Sequence, residues 1–440
     1  MRILFLLYFC FLMLTASIEV EAQVPLAYKH NIESEISLAD GLSYKKIMMG
    51  NQKTKFAVHV IEVNLLNHLL VPTVLKAGSH TLELAKLHDI ITHTDSITEG
   101  KILGAINGSF WRAYTNNPIG ACFIDGEIVE LNPYKQWSGI YFDSLSKPYI
   151  DNFKITGKIE LKNGNEIILN RVNRRRDSLE IVLYNKYGGT EVPHVQKQKI
   201  EDEIATRMAV AMNEMFENDS TEFDIDPETL RQELLTEKRS NSLENSLIKC
   251  KLKYLSHPAI NKSIKCVVMA IDTGLMAIDT MSAVLSYGIN IPYDLFPTLG
   301  DTLTLSYTTD VQTKVQFRNG LTATPRLVRE GKAQHEALKE GSKGKRFINR
   351  ALSRTAVGYS KDKTKLYLVT VQTTSRSNFV KGANLANMAI IMKSLGCYEA
   401  MNLDGGGSTV MVIDGKNVMS TLRPDASRRI SVGLGVRLLP

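Results

Sequence analysis

Apolar and β-branched residues fall in short blocks along most of this chain. Residues 56–66 (FAVHVIEVNLL), 101–110 (KILGAINGSF), 302–307, 314–317, 356–359, 366–371, 398–403 and 409–413 read as strands. Asp125-Gly126 marks the tip of a hairpin over 120–130, and Asn319-Gly320 supplies a turn after the 314–317 block. Helical spacing is rarer. It covers 81–91 and 383–395, and Gly396 ends the second. The apolar run 267–287 has helix-like length, but Asp272, Gly274 and Asp279 interrupt it and argue against a membrane span. This pattern predicts an α+β fold, a mixed and largely antiparallel sheet core with flanking helices.

One stretch departs from it. Residues 196–250 are charged and poor in β-branched residues, with Ile204, Met208, Ala211 and Met215 on one helical face. Asp226-Pro227-Glu228 is a good helix start, so the stretch is expected to be a helical insertion. Its acidic cluster (Asp219, Asp224, Asp226, Glu228) lacks the turn glycine of a calcium loop, which favours capping and solvation.

Both ends of the reading have consequences for location. Arg2, an apolar run over 3–14 and Val20-Glu21-Ala22 before Gln23 form a cleavable export signal, predicting a mature domain of 23–440 that is secreted or periplasmic. Losing 1–22 removes one arginine and two glutamates, which moves the formal charge from +7 to +8. A modest basic excess suits an anionic substrate; nothing points to nucleic acid or to stable membrane insertion. Export permits disulfides, and Cys250 with Cys266 is the pair to test, while Cys122 and Cys397 sit beside apolar runs as buried thiols.

The candidate chemistry is scattered. His88 and His93 do not share a helix face, and no zinc spacing, serine-hydrolase elbow or nucleotide loop occurs. No cofactor motif is present, and a divalent metal stays open. Residues 399–415, EAMNLDGGGSTVMVIDG, allow either a hairpin turn or an anion-binding backbone. Ile106-Asn107-Gly108-Ser109-Phe110-Trp111 ends a strand in a turn. Arg354 enters a strand from a basic stretch, 326–354, that holds nine Lys/Arg against three Glu. Arg423–Val432 is a basic turn before the last strand and includes Arg428.

In this order, Asn107-Gly108, the Asp125-Gly126 hairpin, Arg354-Thr355-Ala356-Val357-Gly358, Asn402-Leu403-Asp404-Gly405-Gly406-Gly407-Ser408 and Pro424 with Arg428 resemble the phosphodiester glycosidase family. The similarity extends to Val172-Asn173-Arg174, 183–188 and 327–332, and spans most of 42–436 outside the helical stretch. The Asn402–Ser408 segment is its specific part. Two departures stand out: Gln372-Thr373-Thr374 replaces the usual Asp-Gly, and Ser109 and Trp111 replace residues of the usual Asn-Gly-Gly-Phe-Phe.

The resemblance implies hydrolysis of a sugar-1-phosphodiester, with a glycosyl-phosphate or phosphoglycan as substrate. It implies Asp404 on the sugar side, Asn107 on a sugar hydroxyl or acetamido group, and Arg354 and Arg428 on the phosphate. Gly405, Gly406 and Gly407 would keep the approach clear and offer N–H groups, and Ser408 a hydroxyl; Asn402 and, as second carboxylate, Asp125 complete the set. It also implies strand rather than helix at 284–286. Two other readings remain: a non-catalytic binder of anionic glycans, favoured by Gln372-Thr373, and a factor in building or remodelling exported polysaccharide.

Overall fold

The computed structural model describes residues 27–52, 54–78, 80–193, 200–208, 226–373, 382–419 and 427–440. The export signal, Ala211, Met215, Asp219, Asp224, Thr374 and residues 423–426 of the basic turn therefore lie outside the described residues. Sheet dominates, and among the described residues every strand pairing but one is antiparallel; Arg171–Val172 runs parallel to Val182–Tyr184. The fold is broadly α+β, weighted toward β.

An eight-stranded sheet runs in the order Lys29–Ala39, Leu42–Gly50, Lys55–Asn64, Lys365–Gln372, Arg354–Tyr359, Glu399–Asn402, Arg326–Arg329, Lys332–Ala333. A second sheet of five orders Lys416–Asn417, Met411–Ile413, Lys101–Asn107, Val432–Leu438 and Leu70–Lys76. A third, also of five, is built around Phe317–Ala323 and Ser138–Asp143 and carries the hairpin Cys122–Ile124/Glu127–Glu130. The main core lies where these three meet and includes Ile61, Leu368, Met401, Ile106, Leu434, Cys122 and Leu321.

Alternation along the strands explains the layering. In the hairpin strand Cys122–Ile124, Cys122 and Ile124 face that core while Phe123 faces a second one. The second core is closed by another eight-stranded sheet, which includes Lys249–Tyr254, Lys262–Asp272, Ser282–Ser286 and Thr302–Thr309. The helix Leu385–Ser394 covers the outer face of the first sheet, and Leu87–Ile97 covers the outer face of the second.

Several expectations are corrected. Residues 81–86 are not helical, and the 267–287 run is strand at both ends. Asn319-Gly320 lies inside Phe317–Ala323 instead of at a turn, because Phe123 and Tyr141 press on it: a Cβ at Gly320 would sit 2.5 Å from both rings. Cys250 and Cys266 are on neighbouring strands, but Cys266 pairs with Tyr254, four positions away from Cys250, or about 13 Å along the strand. All four described cysteines are buried free thiols, and burial pushes Cys122, Cys250 and Cys266 up to about 12.

The charged stretch contributes helix at 200–208 and the helix Pro227–Glu244, whose N-cap Asp226 accepts from Thr229 N–H. Ile200, Ile204 and Met208 pack with Leu230 and Leu234. The chain then enters Lys249–Tyr254, an inner strand. No helix among the described residues is long and apolar enough to cross a membrane.

Candidate active site

The Asp-Gly-Gly-Gly stretch is not a hairpin turn. Glu399–Asn402 belongs to the first sheet, whereas Met411–Ile413 belongs to the second, paired with Lys101–Asn107. Residues 403–410 therefore cross from one sheet to the other at their shared rim. Three main-chain bonds hold the crossing: Leu403 N–H to Thr355 O (2.8 Å), Asp404 N–H to Gly108 O (3.0 Å) and Gly406 N–H to Ser353 O (2.8 Å).

The glycines answer different demands here. A Cβ at Gly405 would meet Ser353 O at 3.2 Å, a tight fit that would push the strand entrance back by a few tenths of an ångström. Gly406 has open space around it but φ of +62°, a conformation that disfavours a side chain. Gly407 lies in the tight turn Gly406–Ser408. The expected row of free N–H donors is curtailed, since Gly405 N–H donates to the Asp404 carboxylate (2.8 Å) and Gly406 N–H to Ser353. That local bond fixes the half-buried Asp404 side chain at the crossing.

Asn107 is fully buried beneath it. Its amide donates to Asp404 O (2.7 Å), and its carbonyl oxygen accepts from Thr355 Oγ1 (2.7 Å) and Val410 N–H (3.2 Å). The expectation of a sugar contact is corrected: Asn107 ties three segments together and sets the position of Asp404. Asn402 is buried too, donating to Thr324 O (2.8 Å) and Leu403 O (2.6 Å), and so supports the strand end.

Arg354 is 1% exposed, not a surface residue. Nε donates to Ala383 O (3.1 Å), and Nη2 to Phe347 O (2.6 Å) and Arg350 O (3.2 Å). Both faces of a guanidinium that can grip an oxyanion in parallel include Nη2, which here is engaged with carbonyls of the loops beside Asp404. Arg428 is placed otherwise. Its guanidinium stacks over Trp111 (5.3 Å) and its Nη1 lies 3.5 Å from Ser408 Oγ.

Asp125 stands apart. It adjoins Asn319 (3.5 Å) and Arg437 (3.9 Å), and Asn319 Oδ1 accepts from Val74 N–H (3.4 Å). Val74 is two strands from Ile106, about 10 Å sideways. Asn107 bonds to Asp404, Arg428 reaches Ser408, and the neighbours of Arg354 tie in its strand, Ser353 O accepting from Gly406 N–H and Thr355 Oγ1 donating to Asn107; the contacts of Asp125 are with Asn319 and Arg437.

Sequence reasoning missed several neighbours. Ser109 and Thr409 have buried hydroxyls without a hydrogen-bond partner among the described residues. At the same rim Gln372 pairs with His59 Nε2 (3.1 Å), and His59 Nδ1 with Tyr44 OH (2.8 Å). Burial holds His59 below its ordinary value. A histidine inside FAVHVIEV was a signal for that chain; Ser109 and Gln372 stood out only as departures from the family pattern, and Thr409 offered no signal. Among the described residues no three His, Cys, Asp or Glu gather as a metal ion requires.

Residues 277–437 match the phosphodiester glycosidase family. That span holds Arg354, Asp404–Ser408 and Arg428, and it supports a glycosidase-like role. Asn107 and Asp125 fall before it. A hypothetical protein from Synechocystis shares the fold at 17% identity, TM-score 0.60, over 94% of this chain and 68% of the other. So does a Burkholderia pseudomallei K96243 protein named for export, at 13% identity, TM-score 0.58, over 96% and 99%. The zebrafish N-acetylglucosamine-1-phosphodiester alpha-N-acetylglucosaminidase catalytic domain, auto-inhibited by its pro-peptide, superposes with TM-score 0.43 at 13% identity, over 93% and 88%. No curated protein sequence matches the chain.

Proposed function

We propose that this protein is an exported hydrolase that cleaves a sugar-1-phosphodiester, of the N-acetylglucosamine-1-phosphate type, to free sugar and a phosphomonoester. The observation that carries the reading is the crossing at Asp404–Ser408. It presents one carboxylate and, a few residues on, a hydroxyl beside an arginine, within the span that matches the family.

The chemistry fits those groups. A phosphate leaving group is a weak base and needs little protonation, so a strong general acid is dispensable. The breaking bond leaves positive charge on the anomeric carbon and negative charge on the departing phosphate. Asp404 takes the first, and Arg428 with Ser408 the second. Arg354 and Asn107 act through Asp404 by fixing the main chain on either side of it. A non-catalytic glycan binder is the second reading, favoured by Gln372, which stands where the family resemblance implies Asp and whose side chain is engaged with His59.

Steady-state hydrolysis of a UDP-sugar or another glycosyl phosphodiester, with both products measured, tests the assignment. Asp404→Asn, folded, is expected to lose about 10²-fold or more in kcat and kcat/KM together. Asp125→Asn, at a carboxylate that contacts Asn319 and Arg437, is expected to stay within about threefold of wild type. No turnover by the wild type, or near-normal turnover by folded Asp404→Asn, would overturn the reading.

A further inference from the structure

One turn of the surface carries cations that no carboxylate balances. Residues 337–342 fold back on themselves: Gly341 N–H donates to Leu338 O (3.2 Å) and Ser342 N–H to Ala337 O (2.8 Å). A short helix, Lys345–Asn349, follows. Lys339, Lys343, Lys345 and Arg346 are exposed along this stretch. Lys135, exposed on a neighbouring loop, joins them by donating to Gly341 O (3.3 Å). In the same turn Leu338 is 65% exposed.

Elsewhere, exposed lysines face acids. Lys46 meets Glu33 (3.0 Å), Lys158 meets Glu166 (2.6 Å) and Lys365 meets Glu62 (2.7 Å). Among the described residues, Lys135, Lys343 and Lys345 meet no carboxylate within ion-pair distance. The glutamates nearest in the chain are already engaged. Glu336 holds Arg329 (2.7 Å) and Lys339 (3.5 Å), and the buried Glu340 accepts from Ser138 Oγ (2.6 Å) and Thr324 Oγ1 (2.7 Å). A single exposed leucine is ordinary, and a basic turn alone is commonly just a solvated face. Together they select a partner that is anionic at its surface and apolar beneath it. A soluble polyanion would use the lysines and leave the leucine in water, whereas a bilayer takes both.

We propose that this turn docks the protein on an anionic lipid surface. Lys135, Lys339, Lys343, Lys345 and Arg346 meet the headgroups, and Leu338 enters the boundary with the acyl chains. The contact is peripheral and asks for no membrane-spanning helix. Phe347, in the short helix, accepts from Arg354 Nη2 through its carbonyl (2.6 Å), so the docked face adjoins the crossing. The docking stands independently of the hydrolase reading.

Co-sedimentation of the mature protein with lipid vesicles tests it without any turnover. Binding to phosphatidylcholine vesicles holding about one-third phosphatidylglycerol is expected to be about tenfold tighter than to phosphatidylcholine alone. Raising the salt to roughly 0.5 M should weaken it about tenfold. Lys343→Glu combined with Lys345→Glu is expected to cost about tenfold or more, and Leu338→Ser about fivefold. The same change of charge at Lys253 and Lys265, exposed on the strands Lys249–Tyr254 and Lys262–Asp272, should leave binding within about twofold. Equal binding to both kinds of vesicle, or an equal loss in the two charge-reversed proteins, would overturn the proposal. Undiminished binding by folded Leu338→Ser would also overturn it, and would pass the turn to a soluble polyanion such as dextran sulfate.

Discussion

Two buried polar clusters in this molecule look alike in composition and differ in completeness. Beside the second eight-stranded sheet, Glu244 ends the helix Pro227–Glu244 and meets Arg175, both side chains 1% exposed. One carboxylate oxygen accepts from Arg175 Nε (2.6 Å) and Tyr184 OH (2.9 Å), and the other from Ser286 Oγ; Arg175 also reaches Ser286 O and Glu180 O. At the crossing, Arg354 and Asn107 are as deeply buried, yet their partners are mainly main-chain groups, and the hydroxyls of Ser109 and Thr409 are left unspent. A closed network holds two elements together. An incomplete one keeps capacity for a ligand, and that difference separates scaffold from site more sharply than burial or charge does.

Breaking the closed network should cost most. Arg175→Met strands a buried carboxylate and is expected to destabilise by about 3–5 kcal/mol, while adding Glu244→Leu should recover part of the loss. Urea unfolding of the two variants measures it; equal loss in both would mean that the ion pair is not a coupled unit.

Arg354→Lys tests the other cluster. An ammonium has neither the span nor the planar fork to reach Ala383, Phe347 and Arg350 carbonyls together, so turnover should fall by about tenfold or more, chiefly in kcat. Melting temperature recorded beside kcat shows whether the scaffold or the whole fold has failed. Wild-type kcat in the folded variant would mean that Asp404 does not depend on these loops.

The smallest effect concerns Lys76, a single buried cation between the two regimes. It donates to Ala77 O (2.7 Å) and Glu83 O (3.1 Å), and burial pushes it from 10.5 down to about 7. Between these values the unfolded chain holds the proton and the fold does not, so stability rises with pH across that window and loses this contribution as pH falls toward 7. Against Lys76→Met, wild-type stability should climb by about 1 kcal/mol between pH 7 and 8. Parallel curves for the two proteins would show that the amine stays charged in the fold.

Local signals were well preserved in the sequence. The Asp125-Gly126 hairpin, the helix ended by Gly396 (φ +98°) and most strands depend on turn chemistry and side-chain period, which neighbours in the chain determine. What the sequence concealed was partnership. That residues 399–402 and 411–413 enter different sheets, that Cys250 misses Cys266 by four rungs, and that Gly320 serves ring packing all depend on segments far away. The site followed the same rule. Motif order nominated Asp404, Arg428 and Ser408, but Arg354 and Asn107 could be told from ligand contacts only by the carbonyls and hydroxyls that claim them.

The Asn107 bonds carry a consequence for the order of folding. Its side-chain partners are 248, 297 and 303 positions away, so no hairpin or local helix can preassemble the crossing. Such distant closures carry the loop entropy of the chain between them and are met late, after the local strand pairs have formed. Function should then return more slowly than secondary structure when the unfolded chain is diluted from denaturant, making Asp404-dependent turnover a reporter of the last contacts to close.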